Sequence, residues 1–184
     1  MIETVKMQRH VDLSVAELDA LRKLFDSEYL SDFGQWNPDA PYGYSPADFH
    51  VLAFQGPVLA AHVGFQRRVI AVGTQDVVVA GTGGVLVDER SRGTGLGGRA
   101  MRHAQKVMRD EAKVDFGFLG CREEVVSFYE STGWIQVYAT ERSLSRVDQT
   151  SVIVSENGPI LICSGKRDAS AWPHGDIDLR GTPW

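Results

Sequence analysis

Leu18, Leu21, Leu24 and Phe25 recur at helical spacing behind Ser14 and Glu17, an S-x-x-E capping box, with Leu13 and Leu18 placed for a hydrophobic staple. The pattern predicts an amphipathic helix ending near Tyr29. The helical period is then lost across "SDFGQWNPDAPYGYSPADF" (31–49), whose Gly, Pro, Asp and aromatic residues predict an ordered surface loop. After it the period shortens. "FHVLAF" (49–54), the turn Gln55-Gly56-Pro57 and "VLAAHVGFQRRVIAV" (58–72) predict a hairpin, and Gly73-Thr74 turns the chain into "QDVVVAGTGGVLVD" (75–88). A second helix is expected from about Gly95 to Asp110, with Leu96, Ala100, Met101, Ala104, Val107 and Met108 on one face. "VDFGFLGC" (114–121) reads as a buried strand and Glu123 to Thr132 as a short helix closed by Gly133. "WIQVYA", "TSVIVS" and "ILICSG" read as three more strands, and the tail from Asp168 to Trp184 as irregular. The N-terminal ten residues receive no element. The expected class is α/β, one domain over residues 1–184, with antiparallel strands preceding the second helix.

Composition narrows the function more than the fold. At 43% apolar and 23% charged residues the chain has the make-up of a soluble globular protein. "MIETVKMQRH" has no apolar signal-peptide core and no apolar run reaches about 18 residues, so a cytoplasmic protein without membrane contact is expected. Cys121 and Cys163 each lie in an apolar run, which reads as two reduced thiols and not as a disulfide or metal site. A net charge of −5 argues against nucleic acid. It suits a cationic substrate as well as plain solubility.

The chemistry concentrates in "ERSRGTGLGG" (89–98), where Gly93, Gly95 and Gly98 satisfy G-x-G-x-x-G. A dinucleotide reading fits badly, because four polar residues separate the preceding strand from Gly93 and the strands before it are hairpin-linked. A second reading takes Arg90-x-x-Gly93-x-Gly95 as a coenzyme A pyrophosphate loop. The first-turn N–H groups of the following helix would meet the anion, glycine would let the backbone approach closely, and Arg90 and Arg92 would add charge. A Gly-rich turn capping a core helix is the alternative for the loop alone.

From about Phe49 onward the order of elements resembles the Gcn5-related N-acetyltransferase family, and "FYESTGW" resembles its F-Y-x-x-x-G-F/W segment. The resemblance implies a mixed, mostly antiparallel sheet flanked by helices, whose two central parallel strands splay at a bulge over Val85–Val87 to admit the pantetheine arm. It implies acetyl-CoA as co-substrate, bound by Val85, Leu86, Val87, Arg90, Arg92, Gly93, Thr94, Gly95, Leu96 and Gly97, with no metal. Within the family the chain is most similar to the aminoglycoside 2′-N-acetyltransferases. The similarity rests on Gln66-Arg67-Arg68, Tyr129 to Trp134, Asp32-Phe33 and the acidic tail ending in Trp184. That likeness implies a cationic amino-sugar acceptor, antibiotic resistance and a homodimer. Nodulation acyltransferases, which place fatty acyl chains on chitin oligomers, look similar over the hairpin and loop. Polyamines, protein N-termini and a non-catalytic coenzyme A-binding role are further readings.

The chain departs from the resembled enzymes at Gly83, where they carry an acid that takes the amine's proton through water, and at Thr182, where one acid of a C-terminal pair is missing. Acyl transfer still needs a base near the amine, a donor for the oxyanion and an acid for the thiolate. The candidates are the Trp184 carboxylate with Asp178 as base, helped by carbonyls at Gly83 and Gly84; N–H groups over Val85–Val87 as oxyanion donors; and Tyr129 as acid. Asp32, Trp36, Gly84, Glu156, Asp176, Asp178 and Trp184 are the expected acceptor-binding residues. Trp36, Tyr42 and Tyr44 either wall a sugar site or anchor their loop. Tyr129 also reads as a core residue, Asp32 as a turn former, Glu156 and the tail acids as solvated charges, and His62 as structural. Fewer matched carboxylates point to an aminoglycoside poor in amines, such as kasugamycin.

Overall fold

The computed structural model describes residues 3–184. It begins with a strand that the apolar pattern does not announce. In β1, Glu3–Arg9, Val5 and Met7 pack on the core while Lys6 and Gln8 turn to the other face and bond Glu17. Helix α1, Val15–Phe33, starts at the expected capping box: Ser14 Oγ accepts from the Glu17 N–H and the Glu17 carboxylate accepts from the Ser14 N–H at 2.8 Å. It runs four residues past Tyr29, to Gly34 (φ 78°), so Asp32 and Phe33 are helical rather than part of the loop.

Strands β2 (Phe49–Gln55), β3 (Val58–Val72) and β4 (Gln75–Val87) follow as an antiparallel meander. After α2 (Leu96–Asp110) come β5 (Phe116–Gly120), α3 (Val126–Glu130) and β6 (Ile135–Val137). The remainder forms β7 (Glu141–Leu144), β8 (Val152–Ser155), β9 (Ile160–Ser164) and β10 (Ile177–Asp178). The tail is therefore not irregular throughout, because β10 bridges β3 and β7. One path through the sheet reads β6-β9-β5-β4-β3-β10-β7-β8, with β2 and β1 also attached through β3. Most pairs are antiparallel, but β4 and β5 run parallel at its centre.

The two faces of the sheet are covered separately. On one, α2 buries Ala100, Met101, Ala104 and Met108 completely. Each large apolar side chain taken from water there contributes about 1.5–3 kcal/mol. On the other, α1 sets Leu21, Leu24 and Phe25 against Leu52, Leu59 and Leu86.

The site is made where β4 and β5 part. Their pairing covers only Val79–Gly81 against Phe116–Phe118. Beyond it β4 bulges: His62 pairs Leu86 and Gly64 pairs Gly83, so Gly84 and Val85 together oppose Val63. Gly84 takes φ 59°, open to glycine at little cost. The bulge thus begins one residue earlier than the expected Val85–Val87.

Candidate active site

A cavity of about 680 Å³ opens at the splay. Gly81, Gly83, Gly84 and Val85 of β4 line it, with Cys121 past the end of β5 and Tyr129 from α3. Tyr29, Phe33, Trp36 and Tyr42 form an aromatic wall from α1 and the loop after it. Trp36 is nearly fully buried and stacks on Phe25 with centroids 4.9 Å apart, so it anchors the loop and presents little surface to the cavity. Tyr42 sits at φ 55°, a left-handed conformation uncommon for a bulky residue. Its buried hydroxyl has no partner among the described residues.

Trp184 lies against the bare strand of β4. A Cβ at Gly81 would stand 2.0 Å from its indole Cε2, and a Cβ at Gly83 would stand 2.6 Å from its carboxyl carbon. Both glycines therefore leave the space that Trp184 fills. The Gln66-Arg67-Arg68 element holds this arrangement. The Trp184 indole N–H donates to Gln66 Oε1 at 3.1 Å, and the Arg68 guanidinium stacks over the indole at 4.0 Å. Arg68 also donates to the carbonyls of Leu179 and Thr182 and to Ser45 Oγ. Burial lowers its pKa to about 10.

The other expected acids are elsewhere. Asp32 is exposed on α1 and bonds Ser31; Glu156 and Asp176 are exposed; Asp178 caps its own turn by accepting from the Arg180 N–H at 2.8 Å. None of the four lines the cavity. Short acidic side chains beside Gly and Ser stabilise local turns, which sequence cannot separate from ligand binding. Glu141 at the head of β7 lines the cavity instead, and burial raises its pKa. Nothing local distinguishes Glu141, because its strand is too short to show a period. Tyr129 is almost buried, and desolvation raises its hydroxyl well above the usual tyrosine range. The shift favours its protonated form, and the side chain lines the cavity. Burial also raises Cys121 to about 11, which disfavours its thiolate.

The Gly loop has the form expected of an anion site. Gly93 and Gly95 take φ 76° and 80°, and Gly95 precedes α2 with no side-chain cap on the first-turn N–H groups. A Cβ at Gly97 would come within 2.9 Å of Val87, so this glycine is required by helix–strand packing. Leu86 and Leu96 turn their side chains into the core, leaving only main-chain groups for a ligand. Thr94 Oγ donates to the Ser91 carbonyl. Arg90 is exposed, whereas Arg92 is committed: it donates to Glu28 at 2.7 Å and to the Val87 carbonyl. The expected pair of loop arginines thus becomes one available guanidinium and one tie to α1. Among the described residues no cluster of metal-ligating side chains occurs, and no helix is long and apolar enough to cross a membrane.

Solved structures share this architecture. ElaA from Escherichia coli superposes with a TM-score of 0.62 at 20% identity, over 88% of this chain and 99% of that one. An acyl-CoA N-acyltransferase from Pseudomonas aeruginosa gives 0.59 at 18%, again over 88% and 99%. A chain of the NatC complex bound to Gag peptide and CoA gives 0.57 at 14%, over 89% and 99%. The fold is that of the Gcn5-related N-acetyltransferases. At the level of sequence, the family model described as Nodulation protein A (NodA) matches residues 4–183, and the chain belongs to that family.

Proposed function

We propose that the protein is an N-acyltransferase that moves an acyl group from a coenzyme A thioester to an amine on a sugar, with an amine-bearing chitin-type oligomer as acceptor. The observation that carries the acceptor class is the lining of the cavity. Aromatic rings dominate it, and Glu141 is the one carboxylate side chain among the described residues there, against Arg122 and Arg146. Aromatic faces suit sugar rings, and a single acidic side chain suits one amine rather than a polycation. Membership of the NodA family supports the same acceptor and a longer acyl chain.

The donor would lie with its pyrophosphate at the N-terminus of α2 and its thioester in the gap between β4 and β5. The Trp184 carboxylate at Gly83, with Glu141, would hold and deprotonate the ammonium. The free amine would attack the thioester carbon, an N–H at the β4 bulge would receive the oxyanion, and Tyr129 would stabilise the departing sulfur. Asp178, turned into its own loop, takes no part.

A second reading keeps the donor and changes the acceptor to an aminoglycoside acetylated at its 2′-amine. It is favoured by the Gln66–Arg68–Trp184 arrangement, and the sparse acidity limits it to amine-poor members such as kasugamycin. Thiol release from acetyl-CoA and from hexadecanoyl-CoA, measured across a partly deacetylated chitin tetramer, glucosamine, kasugamycin, kanamycin, spermidine and a peptide, separates the readings. Long-chain transfer to the chitin tetramer is expected, with the new amide located by product mass. Acetylation of kasugamycin alone would establish the second reading. Coenzyme A binding without turnover on any acceptor would leave a binding module.

A further inference from the structure

Three of the five histidines form a row across the sheet toward the bulge. His10 follows β1, His50 is on β2 and His62 on β3. His10 Nδ1 lies 3.1 Å from His50 Nε2, and His50 Nδ1 lies 3.0 Å from His62 Nε2. His62 Nδ1 lies 2.7 Å from the carbonyl oxygen of Gly84. His50 and His62 are each 2% exposed.

The last contact sets the donor order along the row, while the far ring nitrogen of His10 faces the Asp39 carboxylate at 3.3 Å. A carbonyl only accepts, so His62 carries its hydrogen on Nδ1. Its Nε2 is then an acceptor, which places the His50 hydrogen on Nδ1, and the same step places a hydrogen on His10 Nδ1. Both ring nitrogens of the two buried histidines are satisfied, so the row is a rigid polar network and not a stranded one. Burial lowers His62 to about 4 and His50 to about 2, so both rings stay neutral and the donor order is preserved at working pH.

The Gly84 carbonyl shares a peptide plane with the Val85 N–H. No cis peptide occurs in the described chain, so the two groups point in opposite directions. The carbonyl is drawn to the His62 ring, and the N–H therefore points away from that ring. Gly84 and Val85 line the cavity where the β4–β5 pairing has ended. We propose that His62, oriented by His50 and His10, is a positioning residue that locks the Gly84–Val85 peptide with its N–H aimed at the thioester carbonyl. Because Gly84 is a glycine at φ 59° in a bulge, the peptide has little intrinsic reason to hold one orientation, and the histidine row supplies it. The inference rests on the thioester occupying the β4–β5 gap.

Four measurements on the full chain test it: ring tautomers, the thioester carbonyl stretch, steady-state kinetics and melting temperatures. Nitrogen-15 NMR of the histidine rings is expected to find His50 and His62 as Nδ1–H tautomers. Infrared difference spectra with carbonyl-labelled [¹³C]acetyl-CoA or hexadecanoyl-CoA then read carbonyl polarisation without any acceptor. Binding to the wild type is expected to lower the carbonyl stretch. His62→Gln moves the donor away from the Nδ1 position and is expected to return the stretch toward its value in solution. It should also reduce kcat at least tenfold, with both KM values within twofold. His62→Asn keeps an N–H near that position and is expected to restore the shift and most of kcat. An Nε2–H tautomer at His62 would overturn the proposal. So would an unshifted spectrum in His62→Gln relative to wild type, or equal losses in both variants that follow their melting temperatures. Failure of both thioesters to bind the wild type would remove the donor reading, and this inference with it.

Discussion

Gly81→Ala tests the placement of Trp184 directly. Its new methyl would lie 2.0–2.3 Å from three indole atoms, whereas carbon atoms pack at about 3.5–4.0 Å. The ring must retreat by more than an ångström or leave. Leaving forfeits the hydrogen bond to Gln66, about 1 kcal/mol, and the stacking of Arg68, about 0.5–2 kcal/mol. Staying crowds a packed site at about 1–3 kcal/mol. Either way the expected loss is roughly 2–3 kcal/mol, or roughly 4–12 °C in melting temperature for a chain of this length. Trp184→Ala removes the same ring and should cost a similar amount. In the Trp184→Ala background the added methyl meets nothing from the indole, and reduced freedom of the unfolded chain makes Gly81→Ala neutral or stabilising by about 0.4–1 kcal/mol. Urea unfolding of the four proteins closes the cycle. Additive losses would show that the indole does not rest on Gly81, and would refute the construction of this end of the site.

Four further outcomes are expected. Extending the chain by one residue beyond Trp184 turns the carboxylate at Gly83 into an amide and should abolish turnover while coenzyme A affinity stays within twofold; unchanged turnover would discard Trp184 as the base. Glu17 is held at about 2, against 4.5 for a free glutamate, through Lys6, Ser14 and Gln8. Its stabilisation, about 2–3 kcal/mol, is full above pH 4.5 and lost as pH falls through 2, so the deficit of Glu17→Gln should vanish in acid. His50 and His62 act in the same direction but earlier. The unfolded chain binds their protons below about pH 6.5 and the folded chain does not, so replacing both by Gln should flatten the acid limb of a stability–pH curve. Tyr42→Phe removes a buried hydroxyl without a partner among the described residues, and its melting temperature should be unchanged or higher.

Local rules made much of this protein legible. The capping box, the hairpin, α2 and the Gly loop depend on neighbours within a few residues, where period, propensity and φ requirements act. Strands β7 and β10 were not legible, because four and two residues do not show a period and are held only by their partners. The likeness carried by Gln66-Arg67-Arg68 and Trp184 was also legible, though its meaning was not. Only the folded chain brings residues 66, 68 and 184 onto the glycines of β4.

The acids mark the boundary most clearly. Asp32, Glu156, Asp176 and Asp178 have the right chemistry and the wrong direction, while Glu141 has no local mark and faces the cavity. The sequence by itself determined most of the element types, the Gly loop before α2 and the absence of an acid at position 83. The tertiary structure decided which carboxylates line the cavity and brought three histidines far apart in the chain into one row ending at Gly84. Those outcomes depend on the register of β2, β3 and β4, and register is a property of paired strands rather than of any one of them.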